Sequence, residues 1–359
     1  MEQKLIEIAS RFNTDRPIVA AKPLGEGFIN DTFIASTEGG VRYILQRKNN
    51  RIFTDIPAMM DNIRRVTDHL KKRVTAMGGD PLRQVMTLVE TGDGKLYHVD
   101  GDDYWTMTLF IEKTLSYAAA TEPHLAYQGG KGIGLFQRLL ADFNEPLADI
   151  LPGFHNMRFR FEQWDEAVKA DKAGRVSSLT EEIGWIEARR ERMMSFWQLI
   201  ETGVIPRRVT HNDTKISNIL FDKDGEVLCV IDLDTVLSAT ALNDFGDSIR
   251  SYANTGEEDD PDLSRVSMSM DMFRAYTEGY LSEAKGFLSQ EEADNLAFSA
   301  LFITFEQVLR FLMDYINGDT YYRIKYPDHN LVRTRAQYKL LQSMEQQFDA
   351  MRRAVAEAL

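Results

Sequence analysis

The sequence predicts an α+β chain in two lobes, a small N-terminal β-rich lobe and a larger, mostly helical C-terminal lobe. Three observations carry this prediction. The chain has 359 residues, beyond the size at which one hydrophobic core stops growing. Its texture changes near residue 113, from β-branched and aromatic runs to apolar residues at three- and four-residue spacing. Inside the helical part, the turn Asp222-Lys223-Asp224-Gly225 separates two apolar runs, Ser217–Phe221 and Val227–Asp232, as a hairpin would. The expected division is 1–112 and 113–359, with a connector near 110–116.

In the first lobe, Val41–Arg47 and Tyr104–Ile111 have strand composition, and Asp93-Gly94 between Met86–Glu90 and Leu96–Val99 signals a hairpin. One helix is predicted to interrupt the strands. The segment Ile56–Val74 opens with Pro57 and sets Met59, Ile63, Val66 and Leu70 on one face. Beyond the connector, Ile183–Ile200, Arg274–Leu281, Ala293–Ile316 and Leu331–Met351 read as helices. The stripe Tyr338, Leu341, Met344, Phe348 and Met351 on the last is core, not function.

Composition excludes several classes. With 43% hydrophobic and 27% charged residues, the chain is globular rather than disordered. A net charge of −13 argues against nucleic acid or an anionic membrane as partner. The single Cys229 excludes a disulfide framework, and its apolar neighbours suggest a buried, inert thiol. The N-terminus lacks a signal-peptide core, and no apolar run is expected to reach the roughly 20 residues of a membrane span. A soluble, cytoplasmic protein is expected; no oligomeric state follows.

The motif His211-Asn212-Asp213, with Asn218 five residues after Asp213 and Asp232 fourteen beyond Asn218, is a set of parts for phosphoryl transfer. A carboxylate must accept the proton of an attacking hydroxyl. An amide and a second carboxylate must hold Mg²⁺ against the nucleotide phosphates. Folding the hairpin antiparallel brings Asn218 near the strand that carries Asp232. The bland alternative makes Asp213 and Asn218 turn-formers and Asp232 a cap. His211 is expected to shape the loop through backbone hydrogen bonds. Lys215 either neutralises the transferred phosphoryl charge or is an ordinary solvated lysine.

Other segments are weighed against the same chemistry. Gly25-Glu26-Gly27 lets backbone amides approach phosphates, or is simply a tight turn. Gly129-Gly130-Lys131-Gly132-Ile133-Gly134 fits neither glycine-rich phosphate motif and reads as a helix within about 123–143. Asp244-Phe245-Gly246 follows no apolar strand, so Asp232 fits the metal role better, and Asp247 is expected to support the catalytic loop.

At these residues the chain resembles the aminoglycoside phosphotransferase-like kinases, which share a two-lobed protein-kinase-like fold. Within that group it is similar to the bacterial N-acetylhexosamine 1-kinases. The similarity runs from Gly25–Asn30, Tyr43–Gln46 and Phe110-Ile111-Glu112 through Arg208–Lys215, Ile231–Thr235 and Asp244–Arg250 to Arg274–Gly279 and His329–Arg335. The resemblance implies ATP-dependent phosphorylation of the anomeric hydroxyl of N-acetylglucosamine and N-acetylgalactosamine. It implies Asp213 as base and Asn218 and Asp232 as Mg²⁺ ligands. Nucleotide contacts are implied for Gly25, Gly27, Asn30, Phe110, Glu112 and Lys215, and acceptor contacts for Asp213, Asp234, Arg310 and Tyr321. Arg310 lies in an apolar helix and needs a polar or anionic partner, so a structural ion pair is the alternative.

One departure from the general kinase pattern stands out. Gln46 occupies the strand position where most kinases place a phosphate-pairing lysine or arginine, and the helix at 56–74 offers no glutamate partner. Arg47 and Lys48 are the candidates for that clamp. Two rivals remain: another small-alcohol kinase of the same fold, acting on aminoglycosides, choline or homoserine, and a nucleotide-binding pseudokinase.

Overall fold

The computed structural model describes residues 2–25 and 29–359 and divides into two compact units. The first comprises Met1–Leu115, Asp142–Leu151 and Leu220–Leu237; the second comprises Ser116–Ala141, Pro152–Ile219 and Ser238–Leu359. The first unit is therefore assembled from three separate stretches of chain.

The first unit is built on an antiparallel sheet. Helix α1 (Glu2–Ala9) precedes β1 (Ile18–Pro23), β2 (Asp31–Thr37) and β3 (Arg42–Lys48). Helices α2 (Ile56–Ala76) and α3 (Pro81–Gln84) follow, then β4 (His98–Asp100) and β5 (Asp103–Leu109). The strand order is β1-β2-β3-β5-β4. Leu5, Ile8, Ala9 and Phe12 pack with Ala35, Tyr43, Leu45, Trp105 and Met107 into one core. Alternation along β3 buries Tyr43 and Leu45 on this face and turns Gln46 and Lys48 to the other.

Helix α2 forms as its sequence predicts. The Asp55 carboxylate accepts the Ala58 N–H at 2.9 Å, Pro57 sits in the first turn, and Met59, Ile63, Val66 and Leu70 are buried. The Asp93-Gly94 turn is present, but Met86–Glu90 does not pair across it. That segment runs beside β5 instead, with Val89 N–H on Met107 O and Leu109 N–H on Thr87 O, both 2.9 Å. Its backbone partners come from a neighbouring strand already in the sheet.

The first unit also holds the hairpin of β7 (Ile219–Phe221) and β8 (Val227–Val230), bar the residue that opens it. Gly225, at φ +80°, closes its turn. Leu115 pairs with Phe221 through two backbone bonds of 2.8 and 2.9 Å, which ties the connector to this hairpin.

The second unit is mostly helical: α4 (Pro123–Leu139), α5 (Met157–Ala170), α6 (Thr180–Glu187), α7 (Arg190–Glu201), α8 (Ala241–Tyr252), α9 (Met270–Ala284), α10 (Gln290–Ile316) and α11 (His329–Ala358). A short strand β6 (Arg208–Thr210) pairs with β9 (Leu237–Ala239). Arg208 anchors that strand by donating twice to the buried Glu292, at 2.7 Å each. Glu292 also completes the α10 capping box with Ser289.

The glycine run 129–134 is a helix, as predicted, and close packing explains it. A Cβ at Gly130 would lie 2.2 Å from Tyr276 O, and one at Gly134 would lie 2.5 Å from Tyr280 O. The backbones of α4 and α9 approach that closely only because both positions lack a side chain.

Two expectations are corrected here. The continuous helix Ile183–Ile200 breaks between α6 and α7, which turns Arg189 onto Glu345 and stacks Trp185 on Tyr338 with ring centroids 3.8 Å apart. Helix α10 is long and apolar enough to cross a membrane, where no such run was expected. Its most apolar window is 78% buried, so it serves as a core helix. Cys229 is buried as predicted, and burial pushes its thiol up to about 12.

Candidate active site

The loop after β6 is built around a buried carboxylate. Asp244, on α8, accepts the N–H of His211 at 3.0 Å and of Asn212 at 2.7 Å. Gln137 donates to it at 2.8 Å and is itself oriented by the Tyr280 hydroxyl at 2.6 Å. Burial raises the Asp244 carboxyl above its ordinary range, against the opposing effects of His211 and these donors.

Asp247, one turn further along α8, accepts the Thr214 N–H at 2.9 Å. The Thr214 hydroxyl donates to Asp244 O at 2.9 Å and accepts from Ser248, which in turn accepts from Tyr276 at 2.6 Å. Backbone groups from His211 to Thr214 are thus held from one helix face. His211 shapes the loop as expected, its Nδ1 accepting the Asp213 N–H at 3.2 Å. Asn212 takes a left-handed conformation at φ +64°, which asparagine tolerates.

Within this frame Asp213, Lys215 and Asn218 converge. The Asn218 amide donates to Asp213 O at 2.9 Å and to Asp213 Oδ2 at 3.0 Å, and Lys215 Nζ lies 2.9 Å from the same oxygen. With both amide protons so used, Asn218 Oδ1 is the atom left to ligate a cation. Asn218 ends a 3₁₀ turn over Ile216–Asn218, and β7 begins at the next residue.

Asp232 and Asp234 belong to the other unit. Asp232 follows β8 at φ +60°, in the left-handed region that aspartate, like asparagine, tolerates. It opens the turn Leu233–Thr235, which packs against α2. Asn62 on α2 donates to Val236 O at 3.4 Å and exchanges hydrogen bonds of 2.9 Å with the backbone of Ala148. Asp234 is buried against Lys48 and Asn30. Among the described residues no group of three or more His, Cys, Asp or Glu side chains gathers as a metal site. Mg²⁺ arriving on a nucleotide needs only one or two side-chain oxygens, and the amide oxygen of Asn218 and the carboxylate of Asp232 are each of that chemistry.

The clamp candidates resolve by face. Arg47 shares the face of Tyr43 and Leu45 but is exposed near the end of β3, paired with Asp31 and with Asp103. Lys48 is buried and bonded to Asp234. Gly25 takes φ +69° with open space around it, and Gly27 lies outside the described residues. Phe110 and Glu112 both engage Arg42, which sits 4.2 Å over the Phe110 ring and forms a two-point ion pair with Glu112.

Arg310 and Tyr321 come together in the helical unit. The Arg310 guanidinium lies 5.6, 5.8 and 5.6 Å from the rings of Phe154, Tyr321 and Tyr322, with Gln307 Oε1 at 3.5 Å. Among the described residues Arg310 forms no ion pair, so the structural alternative is not what is seen. Neighbouring Glu306 bonds His155 at 2.8 Å and Arg160 at 3.2 Å instead. Burial opposes its charge, but these cations with Arg310 hold the Glu306 carboxyl down to about 2.

Sequence reasoning missed Asp244 as an anchor, Asn62, and the Lys48–Asp234 pair. A usable signal existed for the first: Asp244, Asp247 and Ser248 are interleaved with the apolar Leu242, Phe245 and Ile249, and buried polar groups need partners.

Residues 20–267 match the phosphotransferase enzyme family, so the chain belongs to that family. Solved structures share its fold. Spectinomycin phosphotransferase, determined with ADP and spectinomycin, has a TM-score of 0.62 at 14% identity, over 97% of this chain and 98% of that one. The Plasmodium vivax ethanolamine kinase gives 0.56 at 13% identity over 89% and 82%. Choline kinase from Cryptosporidium parvum gives 0.54 at 14% identity over 94% and 92%. The two-lobed, kinase-like α+β architecture is that of these proteins.

Proposed function

We propose that the chain is an ATP-dependent kinase that phosphorylates the anomeric hydroxyl of N-acetylglucosamine and N-acetylgalactosamine. The observation that carries this reading is the Asp213–Asn218 pair on a loop held by Asp244 and Asp247, in a member of the phosphotransferase family. Asp213 orients the acceptor hydroxyl and takes its proton as transfer proceeds. Asn218 fixes the Asp213 carboxylate and, with Asp232, offers oxygens to Mg²⁺. When bound, Mg²⁺ supplies charge neutralisation on the nucleotide phosphates. Lys215, already beside Asp213, is placed to follow the phosphoryl charge.

Arg310 and Tyr321 provide the acceptor's polar and aromatic contacts, and Asp234 accepts a hydroxyl. Gly25, Gly27, Asn30, Phe110 and Glu112 belong to the nucleotide side. The N-acetylhexosamine assignment is supported by the sequence similarity over Arg208–Lys215, Ile231–Thr235 and His329–Arg335.

The test is ADP release with Mg·ATP and a panel of N-acetylglucosamine, N-acetylgalactosamine, choline, homoserine, ethanolamine and an aminoglycoside. Turnover of the two N-acetylhexosamines above the others is expected. Turnover of another alcohol alone would replace the acceptor and keep the kinase. Nucleotide binding with no acceptor-dependent turnover would make the chain a pseudokinase.

A further inference from the structure

A buried cation sits beside the second carboxylate of the Asp232-Leu233-Asp234 turn. Lys48 is 4% exposed and Asp234 6%. Lys48 Nζ donates to both Asp234 oxygens and to Gln46 Oε1, each at 2.7 Å, so its three ammonium protons all have acceptors. Gln46 Nε2 reaches Thr32 Oγ1 at 3.3 Å. Asn30 donates to Asp234 Oδ2 at 2.7 Å, and its own Oδ1 accepts the Asn49 N–H at 3.1 Å. The glutamine found where a phosphate-pairing lysine is expected is thus an acceptor for the lysine two residues on, on the same strand face.

Two consequences follow from counting atoms. Lys48 has no proton left to pair with a phosphate while it holds Asp234. Asp234 offers about four acceptor positions, and among the described residues Lys48 and Asn30 occupy three of them. A single open position suits a hydroxyl donor. It does not suit a divalent cation, which would have to displace an ammonium already bonded to both oxygens.

We propose that Lys48 is a positioning residue of the acceptor site, which holds Asp234 with one lone pair open to an alcohol hydroxyl and takes no part in binding the nucleotide phosphates. This rests on the reading of Asp234 as an acceptor contact. Lys48 acts through Asp234 alone, so its removal raises the acceptor KM and leaves nucleotide affinity in place.

The experiment compares wild type, K48M, D234N and K48M/D234N. Two quantities are read: the KM of whichever panel alcohol the wild type turns over, and the Kd of Mg·AMP-PNP by calorimetry. Failure of the N-acetylhexosamine reading therefore leaves this test standing. K48M is expected to raise the acceptor KM about tenfold and to leave the AMP-PNP Kd within about twofold. The double variant, which removes both buried charges and guards against misfolding of K48M, is expected to match D234N in acceptor KM. A tenfold weaker AMP-PNP affinity in K48M would make Lys48 a phosphate clamp. An unchanged acceptor KM in K48M, or a further tenfold rise from D234N to the double variant, would equally overturn the assignment.

Discussion

Replacing Asp247 by asparagine removes a charge while keeping the shape, and so isolates what the buried carboxylate does for the loop above it. Its Oδ2 accepts the Thr214 N–H at 2.9 Å, and its Oδ1 accepts from Arg250 at 3.1 and 3.3 Å. Burial pushes the carboxyl up, but Arg250, the Thr214 N–H and His155 outweigh it and hold it below its ordinary value. Removing one partner of a buried pair costs about 3–5 kcal/mol. Arg250 keeps Glu258 at 2.7 Å, which argues for the lower end, about 3 kcal/mol. At about 2–4 °C per kcal/mol for a cooperative unit the size of the helical one, D247N should melt roughly 6–12 °C lower.

The sign with pH is fixed by the same shift. A depressed folded-state value means that the Asp247 contribution is full above the ordinary carboxylate range. It fades as pH falls through the folded value, so the gap between wild type and D247N should close on acidification. Loss of the Thr214 anchor also lets the Asp213 loop drift, and misplacement of about 1 Å costs about 100-fold in turnover. Scanning fluorimetry across pH, with ADP release alongside, measures both. A melting temperature within about 1 °C of wild type with full turnover would refute the anchoring argument.

Two further predictions concern chemistry and packing. D213N should keep the fold, because its backbone N–H still meets His211, and lose about two to four orders of magnitude in kcat; near-full activity would mean that the base lies elsewhere. Gly130→Ala and Gly184→Ala should move the melting temperature in opposite directions. The first drives a methyl to 2.2 Å from Tyr276 O, at a cost of about 1–3 kcal/mol, whereas the second meets nothing within 4 Å in a helix and gains about 0.5–1 kcal/mol. Equal shifts would show that α4 and α9 can separate.

The sequence alone determined what depends on residues close in the chain. The α2 stripe, its Asp55–Pro57 start, the Asp222–Gly225 turn and the helical reading of the 129–134 glycines all follow from local spacing and turn chemistry. The pairing of Asp213 with Asn218 was legible for the same reason, since the two lie five residues apart on one loop. Tertiary structure decided whatever depends on a distant partner. The segment Met86–Glu90 abandons its local hairpin because β5 supplies backbone acceptors and donors. The helix break between Glu187 and Arg190 carries no glycine or proline, and what occupies it is Glu345, far along the chain. Between Arg47 and Lys48, strand alternation says only that they point to opposite faces. Which of them carries the buried charge is set by Asp234, 186 residues away, because an ammonium can leave water only where a carboxylate waits for it.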